Sequence, residues 1–206
     1  SSYEGTLAAA AHSGALVGAD EVYDAAINRA GMLRVTDIDT LFNTVETLAH
    51  TKRLRGHRLA ILTNGGGPGF LAVDALITGG GEVAAIGEET RKKLDEQLHA
   101  QWSSSNPLVI RSTAQPEMYA FALETLLADK DLDAVLVMHV PTAAVSGTDV
   151  AEAIIKTAKK KKKNVLTSWL GIEDAAEART LFTKAGIPTY FTPERAIQAF
   201  LNMVRY

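Results

Sequence analysis

Apolar and polar positions follow two rhythms along this chain, and from about residue 57 the two alternate. Short apolar runs suited to strands lie at 58–63 (RLAILT), 82–86 (EVAAI), 107–110 (PLVI), 133–140 (DAVLVMHV), 164–170 (NVLTSWL) and 188–191 (PTYF). Between and after them, apolar residues recur at helical spacing over 70–77, 88–100, 117–130, 148–160, 173–185 and 193–206. The run at 133–140 is apolar almost throughout, as a central parallel strand covered on both faces should be. Gly186 stops one helix, and Thr192 followed by Pro193 is a cap and first-turn pair for the last. Six strands, each followed by a helix, predict an α/β fold. The expected form is a flavodoxin-like, doubly wound, mostly parallel sheet over residues 51–206, with helices on both faces and right-handed crossovers. Ligand sites in such sheets lie beyond the carboxyl ends of the strands, near the point where strand order reverses. The first fifty residues break the rhythm. They predict a loop over 1–19 and a helical arm over 20–50. The arm holds one helix ending near Gly31 and a second capped by Thr36 or Asp37.

Composition narrows the function classes. The chain has 206 residues, a formal net charge of −3 and 47% hydrophobic residues, enough for one generous domain with an appendage. No apolar run approaches the ~20 residues that span a bilayer, and no basic leader precedes an apolar run, so no membrane partner is expected. The charge balance argues against a nucleic-acid partner. The absence of cysteine excludes disulfides and thiolate metal sites and suits a reducing, cytoplasmic setting. The absence of an initiator methionine suggests a fragment of a longer protein. Five consecutive lysines, 159–163, read as a solvated helix end, with an acidic partner as the alternative.

Two turns are candidates for anion binding. TNGGGPG at 63–69 follows a strand and opens a helix, so Asn64, Gly65, Gly66, Gly67 and Gly69 place backbone N–H groups where a phosphate could approach. It is neither a dinucleotide fingerprint, because the sixth position of the pattern from Gly65 is Phe70, nor a P-loop, because no Gly-Lys-Ser/Thr follows. The competing reading is a plain strand-to-helix turn. The second turn, HVPTAAVSGTD at 139–149, offers Pro141, Thr142, Ala143, Ser146, Gly147 and Thr148 at another helix start. Its competing reading is ordinary capping. Two helix N-termini aimed at one point would suit a dianion. His12 lies in a run of small residues, AAAAHSGALVG, and is the candidate nucleophile. His50, His57, His99 and His139 share no metal-ligand spacing, so no metal site is expected. No G-x-S-x-G elbow is present.

Together these residues resemble a known family. HSGALVGADEVYDAAINRAG, TNGGGPGFLAVDAL, the GEET after it and AGIPTYFTPERAI occur in the order found in NDP-forming acyl-CoA synthetases, relatives of succinyl-CoA synthetase. The resemblance covers nearly the whole chain. It implies that 51–206 is a flavodoxin-like CoA-ligase domain, and that 1–19 is the tail of a preceding domain carrying the active-site histidine. It implies that His12 is phosphorylated in the reaction acyl-CoA + ADP + phosphate ⇌ carboxylate + CoA + ATP. It implies CoA or acyl-CoA, phosphate and ADP/ATP as substrates rather than tightly bound cofactors, with Mg2+ at an ATP-grasp domain outside this chain. It further implies CoA-binding and ATP-grasp domains as partners, and an oligomer. By the same resemblance Asn64 falls at the carboxylate or phosphate site, and Pro141 to Ala143 at the glycine-rich substrate turn.

A narrower likeness competes. YDAAINRAGMLRVTDIDTLFNTVETLAH resembles the synthetase-like region of bacterial protein lysine acetyltransferases, which carry a GNAT domain and in which that region senses acyl-CoA. The family's Asn-Pro-x-Asp motif reads Asn106-Pro107-Leu108-Val109 here, so an acid is lost at Val109. His12 favours the synthetase and Val109 the sensor. An unrelated flavodoxin-like module binding a flavin or nucleotide is the third reading.

Overall fold

The computed structural model describes residues 2–14, 18–54, 56–99 and 101–206. Residues 15–17 of the predicted loop and residue 100 of a predicted helix lie outside them. The strands are β1 (Arg58–Thr63), β2 (Glu82–Val83), β3 (Leu108–Val109), β4 (Ala134–His139), β5 (Asn164–Trp169) and β6 (Thr189–Tyr190). The helices are α1 (Tyr3–Ser13), α2 (Asp20–Arg29), α3 (Ile38–His50), α4 (Gly66–Thr78), α5 (Glu88–Leu98), α6 (Pro116–Ala128), α7 (Gly147–Ala158), α8 (Ala176–Lys184) and α9 (Pro193–Arg205). Among the described residues these six strands pair with one another in parallel, in the order β2-β1-β4-β5-β6, with β3 also on β1.

One edge of β1 is shared. β2 pairs with its start, at Arg58 and Leu59, and β3 with its end, at Leu62 and Thr63. The two short strands therefore occupy one column, and the sheet has the five columns of a doubly wound fold. The gap between them is closed by the Asn106 side chain. Its Nδ2 donates to Leu59 O (2.8 Å) and Ala84 O (2.9 Å), and its Oδ1 accepts from Ile61 N (3.0 Å). An amide side chain thus replaces the missing strand residues, which is why EVAAI forms ladder bonds only over its first two residues.

Period-two alternation sorts the strands onto two cores. Leu59 and Ile61 of β1 and Ala134, Leu136 and Met138 of β4 face α4 and α9. Ala60 and Leu62 of β1, and Val135 and Val137 of β4, face the layer of α5 to α8. His139 is next in that second row. The arm docks through α3. Asp37 caps it by accepting from Thr40 N (2.8 Å), as the sequence allowed. Its buried Thr44 accepts from Asn202 Nδ2 of α9 (2.8 Å), and Thr47 meets the Tyr190 hydroxyl. Its outer face leaves Ile38, Phe42 and Val45 exposed.

Two expectations change. Residues 3–13, read as loop, form α1. Ser2 caps it by accepting from Gly5 N (3.1 Å), and Gly14 closes it with a left-handed φ of 65°. Four consecutive alanines favour a helix by propensity alone. The lysine run is only partly solvated. Lys161 pairs with Glu124 (3.0 Å), and Lys163 donates to the Asp129 carbonyl.

Candidate functional site

The chain crosses the sheet between β1 and β4, and both candidate turns leave from these strands. They are tied together just past the ladder. Asn64 Nδ2 donates to Val140 O (3.0 Å), and Val140 N donates to Asn64 Oδ1 (2.8 Å). The Asn64 side chain is therefore buried and ties the two turns together as a strut. The reason is local. Past Thr63 the backbone turns into α4, and the Asn64 amide, with a donor and an acceptor on one planar group, satisfies both groups of Val140. Gly65 is required by this closeness, since a Cβ there would lie 2.4 Å from Val140 Cγ2. Gly69 packs beside Thr63 and Pro107. Gly66 and Gly67 form the first turn of α4, where backbone N–H groups lack intrahelical partners and no acidic side chain is present.

The second turn borders a cavity of about 490 Å³ that opens between β4 and β5. Pro141, Thr142, Ala143, Ser146, Gly147 and Thr148 all line it, as does Val145. Leu170, Asp174 and Ala175 form the opposite wall. None of the residues 64–69 reaches it. The structure thus gathers one predicted turn into a cavity and leaves the other beside it. Ser146 caps α7 by accepting from Asp149 N (3.3 Å), while Thr148 donates to Glu177 (3.2 Å).

Sequence reasoning missed the buried lining. His139 is 1% exposed, and its ring stacks on Trp169 with centroids 5.4 Å apart. Trp169 in turn meets Phe182 edge-on at 4.6 Å and donates from Nε1 to Gly147 O (3.0 Å). Gly147 makes this possible, because a Cβ there would lie 3.3–3.4 Å from the His139 and Trp169 rings. His139 Nδ1 lies 3.1 Å from the Tyr119 hydroxyl. Burial pushes the His139 pKa down to about 4, so the ring is neutral at pH 7, and burial pushes the Tyr119 hydroxyl up. Two buried polar atoms of the lining, His139 Nε2 and Thr142 Oγ1, have no hydrogen-bond partner. The available signal was a histidine ending an otherwise apolar strand.

The loop after β5 is held from behind. Arg179 of α8 is buried and donates from Nη1 to Trp169 O (2.8 Å) and Gly171 O (2.7 Å), and from Nη2 to Ile172 O (2.7 Å). Its guanidinium also lies 4.3 Å from the Phe191 ring centroid. Desolvation lowers its pKa, but it stays a cation. His12 stands apart from this machinery, exposed in the last turn of α1. Val109, where the resemblance expected an acid, lies in β3 opposite Thr63, and its N–H donates to Ser103 Oγ (3.0 Å).

Comparison with known proteins agrees with this architecture. A family model described as the succinyl-CoA ligase like flavodoxin domain matches residues 1–48, which end before the sheet begins. The ADP-forming acetate–CoA ligase I of Archaeoglobus fulgidus is 34% identical over 205 residues, covering 100% of this chain and 29% of that protein. The alpha subunit of the ADP-forming acetate–CoA ligase I of Pyrococcus furiosus is 31% identical, covering 100% of this chain and 45% of the subunit. A solved structure of the dinucleotide forming acetyl-coenzyme A synthetase 1 of Ca. Korarchaeum cryptofilum, in complex with phosphate and ADP, superposes with a TM-score of 0.94. It is 28% identical, with 100% of this chain and 45% of that one covered. The chain thus spans less than half the length of these relatives. By fold, motif order and end-to-end similarity, the chain belongs to the NDP-forming acyl-CoA synthetase, or succinyl-CoA ligase-like, superfamily.

Proposed function

We propose that this chain is part of an ADP-forming acyl-CoA ligase of the acetate–CoA type, in which His12 carries the phosphoryl group. The observation that carries the reading is similarity along the whole chain to ADP-forming acetate–CoA ligases, at 31–34% identity. The reaction is acyl-CoA + ADP + phosphate ⇌ carboxylate + CoA + ATP. Phosphate displaces CoA from the acyl group, the acyl phosphate passes its phosphoryl group to the imidazole and releases carboxylate, and ADP takes the phosphoryl group from histidine. An exposed imidazole at a helix end can reach substrates on more than one surface.

Charge divides the work between the two turns. The first turn of α4 holds Gly66 and Gly67 and no acid, which suits the phosphohistidine dianion. The α7 turn has Asp149 in its first turn and Asp174 across the cavity, which suits a group of lower charge. Residues 1–48 present Ile38, Phe42 and Val45 outward, a surface suited to the rest of such a protein: its CoA-binding and ATP-grasp parts, the latter holding Mg2+. A cytoplasmic setting belongs to the same proposal; among the described residues no helix is long and apolar enough to cross a membrane. The acyl-CoA-sensing alternative gains no support from the relatives compared.

The test is labelling of the full-length protein. Incubation with acetyl-CoA and labelled phosphate, or with labelled ATP, is expected to give an acid-labile, base-stable phosphoprotein. His12→Ala is expected to abolish the label. A protein that binds acetyl-CoA but takes no label under either condition overturns the reading.

A further inference from the structure

We infer that the basic cavity at the amino ends of β1, β4 and β5 is an anion site that takes an oligophosphate: the di- or triphosphate chain of a nucleotide, or the free chain. The inference stands independently of the ligase reading.

The cavity lies on the edge of the sheet opposite both candidate turns. Its floor is Arg58 at the start of β1, Asp133 just before β4 and Asn164 at the start of β5. Its walls come from three segments that each follow a helix: 52–54 after α3, 130–132 after α6 and 162–163 after α7. Hydrogen bonds fix these segments. Lys52 N donates to Asn164 Oδ1 (2.8 Å), and Asn164 Nδ2 donates to Lys52 O (2.6 Å). Arg58 Nε donates to Asp133 Oδ2 (2.9 Å) and Arg58 Nη2 to Lys130 O (3.2 Å), while Lys163 donates to the Asp129 carbonyl. The protein thus builds the cavity from its own contacts. Its volume of about 760 Å³ falls in the range of small-molecule sites, about 300–1,000 Å³.

The charge of the walls selects the occupant. Lys52, Arg53, Arg58, Lys130, Lys162 and Lys163 line the cavity against the single carboxylate of Asp133, in a chain whose net charge is −3. Arg58 is engaged with Asp133 and Asp131. Lys163 is turned to a backbone carbonyl, and burial lowers its pKa. Lys52, Arg53, Lys130 and Lys162 are exposed and make no ion pair with a described residue. The ends of α3, α6 and α7 each bring about half a negative charge to this edge, less in sum than these four cations. A single phosphate carries about −1.5 to −2 at pH 7, which balances only about half of them. A chain of two or three phosphates matches both the charge and its spread over three segments. The Arg53 fork and the lysine ammonium groups are the donors suited to phosphate oxygens. Leu54 and Leu132 add apolar wall for a nucleoside.

The experiment is amine labelling of the full-length protein at about 0.15 M salt, where distant charges are screened. Divalent cations are left out, and the labelled lysines are resolved by peptide mass spectrometry. Tripolyphosphate, ATP and orthophosphate are titrated separately. A bound anion covers lysines and raises their pKa, and both effects slow labelling. Tripolyphosphate is expected to slow Lys52, Lys130 and Lys162 by about fivefold or more and to leave Lys92 of α5 unchanged. It should act at about tenfold lower concentration than orthophosphate. Arg53→Gln, at an exposed position, should raise the concentration needed about tenfold, and Lys92→Gln should not change it. ATP acting at the tripolyphosphate concentration supports a site that reads the phosphate chain alone. ATP acting at lower concentration supports a site that also holds the nucleoside. The inference is overturned if the three lysines are unaffected, if Lys92 slows equally, or if orthophosphate acts as well as tripolyphosphate. It is also overturned if Lys52 and Lys162 are already unreactive without ligand, since the face is then covered by another part of the protein. This readout involves neither His12 nor phosphoryl transfer, so absence of the phosphohistidine label defeats the ligase reading alone, and absence of lysine protection defeats only this site.

Discussion

Protonating His139 should unfold this protein from within, and the size of the effect can be worked out. The side chain is buried between Tyr119 and Trp169, and its pKa falls from 6.5 in the unfolded chain to about 4 in the fold. The group is a base with a depressed native pKa. Between these two values the unfolded state therefore binds more protons than the native state, and stability falls as pH falls. The contribution is intact above about pH 6.5 and is lost progressively down to about pH 4. Integration gives a loss of about 2 kcal/mol between pH 7 and pH 5, approaching about 3 kcal/mol near pH 4. The perturbation is His139→Phe, which keeps an aromatic ring on Trp169 and removes the titration. Urea denaturation of both proteins at half-unit steps from pH 7.5 to 4.5 isolates the term as the change in their difference. Other groups titrate equally in both and cancel. The Tyr119 hydroxyl, which loses its His139 partner in the variant, adds a constant offset, so the variant should be the less stable protein at pH 7 and gain on the wild type as pH drops. A difference that stays constant from pH 7 to pH 5 would refute the reasoning. It would mean that the ring reaches water or a carboxylate on protonation, and that its burial is not maintained.

Three other changes probe the frame and the carrier. Asn64→Ala leaves both the N–H and the C=O of Val140 without partners and should destabilise the protein by about 2–4 kcal/mol in urea titration; a loss under about 1 kcal/mol would mean that water replaces the strut. Arg179→Met keeps the stem but removes charge-assisted bonds to three carbonyl oxygens, and about 2–3 kcal/mol should be lost, with faster amide exchange confined to the loop after β5. His12→Ala should alter stability by less than about 0.5 kcal/mol, because the side chain is exposed, while the phosphoprotein label disappears; a large loss of stability would show a structural role.

The sheet is legible in the sequence because its signals are local. Strand runs such as 58–63 and 164–170, the Ser146 and Thr192 caps and the Pro193 helix start depend on residues within a few positions of one another. Residues 3–13 differ from the predicted loop for an equally local reason: alanine is the strongest helix former, and four of them stand in a row there. The site was legible only in part. The 141–148 turn, singled out as a helix start after an apolar strand, lines a cavity. The part played by Asn64 was not legible, because its partner Val140 lies far along the chain. His139 was hidden for the same reason: its significance depends on Tyr119, Gly147 and Trp169 converging on one ring.

By itself, the sequence determined the parallel α/β class, the helix starts, the motif order that marks the family and the presence of a histidine at position 12. These follow from periodicity, capping chemistry and spacing, all written within single segments. Tertiary structure alone decided that Asn64 and Asn106 serve as stand-ins for backbone, that Arg179 braces a loop, and that His139 is buried and neutral against Tyr119 and Trp169. Each of these depends on burial and on partners distant in sequence. A side chain's hydrogen-bonding duty and its charge are set by what surrounds it once water has been excluded, and the order of residues does not record that.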